Sequence, residues 1–191
     1  MILLVSVVLA SIGLGYVLGG RLSGFERFRL RWWPLAFLGL ALQLAPVPAG
    51  LATASLIVSY VFLLMFTAAN VRAPGVPLIL IGLALNLAVI TPNGGMPVSK
   101  DALVRSGQVS TLEDLRNGGG VKHHLEGPGD VLTPLADIIA IGAPFDQVAS
   151  VGDAFVYAGL IWLVVAVMRG ARRADPAPRW MAYQGKHRPP A

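Results

Sequence analysis

The chain has no cysteine. That excludes a disulfide framework, thiolate catalysis and thiolate-held metal. Charge is scarce as well: 13% of the 191 residues are Asp, Glu, Lys or Arg, about half the ~25% usual for a soluble domain. Histidine occurs three times, never inside an apolar run where it could ligate a haem. There is no P-loop, which removes the nucleotide-driven classes that depend on one. Nothing basic precedes the first apolar run, so that run is expected to be a retained helix rather than a cleaved signal peptide.

What is present is apolar. Hydrophobic residues make up 55% of the chain, and the mean hydropathy is +0.67. Five runs carry little or no charge: residues 2–20, 33–47, 51–69, 74–91 and 151–168. About 20 apolar residues at ~1.5 Å each cross the ~30 Å hydrocarbon core. The pattern predicts an all-α integral membrane protein with about five transmembrane helices over residues 1–170. Residues 21–33 mix Arg with Phe, Leu and Trp, the composition of a segment lying at an interface. Residues 92–150 hold eleven charged residues among Gly and Pro, and are expected to be an insert of short helices before the last span. Ser99 is expected to cap one helix that Gly107 ends. Ser110 and Thr111, three residues before Glu113 and Asp114, suggest capping boxes for a second. Thr133-Pro134 is expected to open a third, through Ile141, closed by Gly142. Residues 171–191 form a basic, Pro-rich tail expected to be disordered.

The basic residues orient this arrangement. With the N-terminus outside and the C-terminus inside, eleven of the fifteen Lys and Arg fall inside. Four fall outside: Lys100, Arg105, Arg116 and Lys122. This obeys the positive-inside rule. It also accounts for the +5 net charge as a surface facing anionic lipid; nucleic acid is not an expected partner. The frequent Ala, Gly, Pro and Arg suggest a GC-rich bacterial source, hence a bacterial plasma membrane.

Several residues are candidates for packing or chemistry. Ser11, Gly15 and Gly19 share a helix face, and Gly15 and Gly19 make a GxxxG pair. That pair suits close packing within the chain or a homodimer. Ala154 and Ala158 are a looser version on the last run. Asn86, deep in the fourth run, needs a hydrogen-bond partner, expected to be a Ser or Thr of the third run, and is a candidate ligand contact. Asn93, Gly94 and Gly95 form a turn that could present backbone N–H groups to a ligand. His123 and His124 are adjacent and cannot easily share an ion, and neither a metal nor any other cofactor is expected; His124 is retained as a candidate ligand contact. Asp137 sits among apolar neighbours. Asp153 opens the last run, where Ser150 and Asp153 have the spacing of a cap. If the loop between them folds back, the two carboxylates meet and share a proton as in an aspartyl dyad.

In three stretches the chain resembles an uncharacterised bacterial membrane family called domain of unknown function 5317. They are Asn93-Gly94-Gly95-Met96-Pro97-Val98-Ser99, Pro134-Leu135-Ala136-Asp137 and Ser150-Val151-Gly152-Asp153. The resemblance covers most of the chain except the basic tail, and it implies membrane class without an activity. A fainter similarity is to lipoprotein signal peptidases, membrane proteases whose second catalytic Asp opens the last helix, as Asp153 does. Their first Asp lies in a Gly-Asn-Leu-Ile-Asp-Arg-like motif. Pro134-Leu135-Ala136-Asp137-Ile138 lacks the Gly-Asn and the Arg, and five runs replace four. The expected function is therefore non-catalytic: an accessory or scaffold subunit, or a binder of a lipid-like ligand in the bilayer. Nothing in the sequence specifies a protein partner. The alternative is an intramembrane aspartyl-type hydrolase using Asp137 and Asp153. A transporter ranks below both, because the runs hold almost no charge.

Overall fold

The structure is a computed structural model and describes residues 2–174 apart from 119 and 121. The apolar runs are helices: α1 (Ile2–Val17), α3 (Trp33–Leu44), α4 (Ala49–Ala69), α5 (Val76–Asn93) and α8 (Val151–Ala174). A single turn, α2 (Gly24–Arg27), lies between the first two. Three helices are long and apolar enough to cross a membrane: Gly50–Ala69, Val76–Asn93 and Val151–Gly170. Two of the five expected spans are shorter. The first stops before Gly19, which adopts a left-handed φ of 78°. The 12 residues of α3 lie between Pro34 in its first turn and the Pro46–Pro48 stretch, and at ~1.5 Å per residue they cover about 18 Å. Leu9, Phe37, Leu44 and Leu51 are each at least 60% exposed, an apolar lateral surface that suits lipid and not water.

The helices pack through glycine. Where α5 crosses α8, Gly82 lies against the Gly152 carbonyl and Gly75 against the Gly159 carbonyl. Residue numbers ascend on one helix as they descend on the other, so the pair is antiparallel. A Cβ at any of the four would collide with backbone or with Asn86, and dense contact of this kind is what holds helices together in lipid. Ala154 and Ala158, the small pair expected to do this on the last run, are exposed. On α1, Leu3, Ser11 and Gly15 form the buried face. Gly15 meets the Met168 side chain of α8, so this glycine of the GxxxG pair is part of an intrachain contact. Ser59 of α4 donates to the Gly39 carbonyl of α3 at 2.7 Å. The core is built from Leu56, Tyr60 and Leu63 of α4, Leu83, Val89 and Ile90 of α5, then Met96 and Ala136.

The insert corrects the all-α expectation. It holds α6 (Lys100–Arg105) and α7 (Val109–Arg116) but also a four-stranded sheet: β1 (Met96–Val98), β2 (His123–Leu125), β3 (Asp137–Ile141) and β4 (Gln147–Ser150), in the order β2-β1-β3-β4. β1 pairs in parallel with β2 and β3, while β3 and β4 are antiparallel. The helix expected over 133–141 is one 3₁₀ turn, Thr133–Leu135, and then a strand. Ile138, Ile139 and Ile141 are β-branched, and pair better on a pleated sheet than in a short helix with no partner face. Ser99 caps α6 as expected, accepting from the Ala102 N–H at 3.5 Å. The expected boxes at Ser110 and Thr111 do not form; α7 starts earlier, after Gln108, with no side-chain cap. The tail expected from 171 overlaps the end of α8, and residues 175–191 lie outside the described residues.

Candidate functional site

A cavity of about 670 Å³ lies where α4, α5 and α8 meet the sheet. Its apolar lining comes from Leu56, Ile90, Met96, Val98, Leu103, Leu115 and Val148; its polar lining includes Gln43, Tyr60, Asn86, Lys122, His123, Asp137, Asp153 and Tyr157.

Asn86 is the organising residue. It is buried, one helical turn after Gly82, so the glycine crossing brings it against the start of α8. Its amide Nδ2 donates to Asp153 Oδ1 at 2.8 Å and to the Tyr60 hydroxyl at 3.4 Å, and its Oδ1 accepts from the Ser150 hydroxyl at 2.8 Å. The partner on α4 is thus Tyr60, not the expected Ser or Thr, and two further partners come from β4 and α8. Ser150 and Asp153 close a reciprocal capping box. The Asp153 N–H donates to Ser150 Oγ at 2.9 Å, and the Ser150 N–H donates to Asp153 Oδ2 at 3.2 Å. Four elements are tied through four side chains, and among the described residues no buried side-chain polar atom lacks a partner.

Asp137 reaches the same cavity by register. It opens β3 directly opposite Ser150 on β4, and Ser150 leads into α8, so pairing sets Asp137 near the head of that helix. It is buried. Burial, and then the neighbouring Asp153, push its carboxyl up to about 8, so it holds its proton at neutral pH. His123 of β2 approaches it, Nε2 to Oδ2, at 3.8 Å. About half of the His123 side chain (54%) stays accessible, but that surface opens into the cleft, and loss of bulk water lowers the imidazole below its ordinary 6.5. At pH 7 this is a neutral acid facing a neutral base. Lys122, beside it, donates from Nζ to the carbonyls of Leu42 and Gln43 at 3.0 and 2.6 Å. It thereby satisfies the end of α3, where a cation is favoured by the helix dipole.

Asn86, Asp137 and Asp153 are thus brought together, while the other sequence candidates sit outside the lining. Asn93 clamps the loop at Val131, with bonds of 2.9 Å to both its N–H and its carbonyl. Gly94 ends α5 in a left-handed φ of 70°, and its carbonyl accepts from the Thr53 hydroxyl. Gly95 packs under the Lys122 carbonyl and the His124 ring. His124 pairs with Asp130 at 3.0 Å. Burial raises the Asp130 carboxyl, but the bonds from His124 and the Gly127 N–H outweigh this and hold it low. Of the two adjacent histidines the sequence reading kept His124 and set His123 aside, and it missed Tyr60 and Tyr157. Tyr60 stands four after Leu56 and Tyr157 four after Asp153, a helix-face spacing that was available to find them; His123 meets Asp137 only across the sheet. Among the described residues no three His, Asp or Glu side chains group as metal ligands.

A family model described as "Family of unknown function (DUF5317)" matches residues 27–165 of the chain. Comparison with curated proteins and with solved structures finds no match in either.

Proposed function

The chain belongs to DUF5317, a family of unknown function, and from that premise we propose that it is a multi-pass protein of the bacterial plasma membrane that binds a lipid-like molecule without transforming it. The observation carrying this is the cavity itself. Its ~670 Å³ falls within the range of small-molecule sites. Leu56, Ile90 and Met96 offer an apolar wall, while Asp137, His123, Asp153, Tyr60 and Tyr157 offer hydrogen bonds. Lys122 is the one permanent cation among the described lining residues, and its ammonium is engaged by Leu42 and Gln43. An anionic head finds no free counter-charge there, so the ligand head is neutral or cationic, rich in hydroxyl or amine. We orient the protein with the insert outside, which the distribution of basic residues supports, and which presents the cavity to the outer leaflet. A second copy docking through Gly15 and Gly19 would have to displace Met168 from Gly15, so binding is assigned to the single chain.

The test is thermal unfolding in detergent with single-chain amphiphiles of equal length bearing amine, hydroxyl, phosphocholine or sulfate heads. Amine or hydroxyl heads should stabilise the protein, and Asp137→Ala should abolish that response. Stabilisation by the sulfate head alone would sink the proposal.

One observation favours a second reading, an intramembrane aspartyl-type hydrolase. Asp137 is kept protonated in the same cavity as a second carboxylate, and paired acids in unlike environments are the basis of acid–base division. Against it, both Asp153 oxygens already accept N–H bonds that hold α8 and Asn86. Mass spectrometry of a lipopeptide mixture incubated with wild type and with Asp137→Asn separates the two. Product from wild type alone supports the hydrolase; intact bound amphiphile supports binding.

A further inference from the structure

At the other end of α4 from the cavity, a concavity of about 620 Å³ is lined by Arg29, Arg31 and Arg72 with residues 68–71 and 73. Its geometry is built, not accidental. The buried Asn70, which follows the last turn of α4, accepts from the Arg31 N–H at 2.8 Å. It also donates to the Arg31 carbonyl at 2.8 Å and to the Phe66 carbonyl at 2.7 Å. This clamp fixes the backbone of the 28–32 segment against α4 and brings Arg29 and Arg31 to Arg72.

Guanidinium groups stay charged at any physiological pH. Among the described residues none of the three forms an ion pair. The carbonyl end of α4 supplies roughly half a negative charge, too little to balance three exposed cations in one hollow, so the hollow is net cationic and favours an anion. Depth says which kind. The 21 residues of α4 span about 31 Å, the thickness of a hydrocarbon core. Since one end of α4 meets the insert at Gly94, Asn70 comes out at the opposite headgroup layer. Trp32 and Trp33, 54% and 59% exposed, stand beside it, as aromatic residues do at that depth. We propose that Arg29, Arg31 and Arg72 form a binding site for the phosphodiester headgroup of an anionic phospholipid.

The experiment titrates the full chain in detergent with short-chain phosphatidylglycerol, following tryptophan fluorescence. Short-chain phosphatidylcholine and inorganic phosphate are the comparators. Phosphatidylglycerol should saturate the signal. Each of Arg31→Gln and Arg72→Gln should weaken it roughly five-fold, as expected for one arginine at a lipid surface, and the triple Arg→Gln variant should abolish it. Arg116→Gln, in the insert, should titrate as wild type. The Arg31→Lys/Arg72→Lys variant keeps the charge and guards against misfolding; it should retain intermediate affinity. Equal binding of phosphatidylcholine, a triple variant that titrates as wild type, or inorganic phosphate competing at the same concentration as the lipid would each overturn the assignment.

Discussion

Asp137 makes stability depend on pH in a direction opposite to most acids. In the unfolded chain its carboxyl ionises near 3.8; in the fold it does so near 8. Between those values the native state keeps a proton that the unfolded state has lost, so stability falls as pH rises. His123 acts below about 6.5, where the unfolded imidazole gains a proton that the fold disfavours; the window from 6.5 to 8 therefore belongs to Asp137. Wild type should lose on the order of 2 kcal/mol across that window, and Asp137→Asn should flatten the slope, as measured by unfolding in detergent at stepped pH. Lys122 offers a second measurement. Lys122→Met keeps the apolar stem but leaves the Gln43 carbonyl without its donor and the Leu42 carbonyl with only the Ser55 hydroxyl at 3.4 Å. It should cost about 1–3 kcal/mol and speed hydrogen exchange at the end of α3. At this scale the sequence was partly readable. Asn86 announced itself as a polar group in an apolar run, and Ser150 with Asp153 as a cap. His123 did not, because its relation to Asp137 exists only once β2, β1 and β3 are side by side.

Between elements, glycine decides. Gly82→Ala or Gly159→Ala places a methyl group in contact with the facing backbone, which cannot move aside as a flexible side chain would. Each should destabilise the protein by about 2 kcal/mol or more. Gly13→Ala, on α1 with open space around it, should stabilise by roughly 0.5–1 kcal/mol from helix propensity alone. Thermal unfolding of the three variants side by side checks both signs. The apolar helices were legible because their signal is local and long. The sheet was not: its strands are three to five residues, too short for an alternating pattern, and parallel pairing of β1 with β3 joins residues far apart in sequence. The Gly75–Gly82 and Gly152–Gly159 pairs were overlooked because attention to four-residue spacing misses a seven-residue repeat, which returns to the same helix face after two turns.

For the whole molecule, the absence of cysteine makes topology directly measurable. Ser110→Cys in the insert should react with a membrane-impermeant maleimide on intact cells; Ser23→Cys in the arginine-rich segment should react only after permeabilisation. The reverse pattern would invert the proposed orientation, and equal labelling of both would mean an even number of crossings among α3, α4 and α5. Membrane class was readable from composition alone, whereas the number of crossings was not, since α1 and α3 are shorter than their apolar runs. The two backbones of α5 and α8, locked through glycine, make a strut along one side of the cavity, and the insert and the α3–α4 hairpin make the other. Those two parts are joined where the Lys122 ammonium grips the end of α3. Lys122 is thus at once part of the cavity wall and the tie between α3 and the insert, so a single substitution there alters the site and the seam that holds it together.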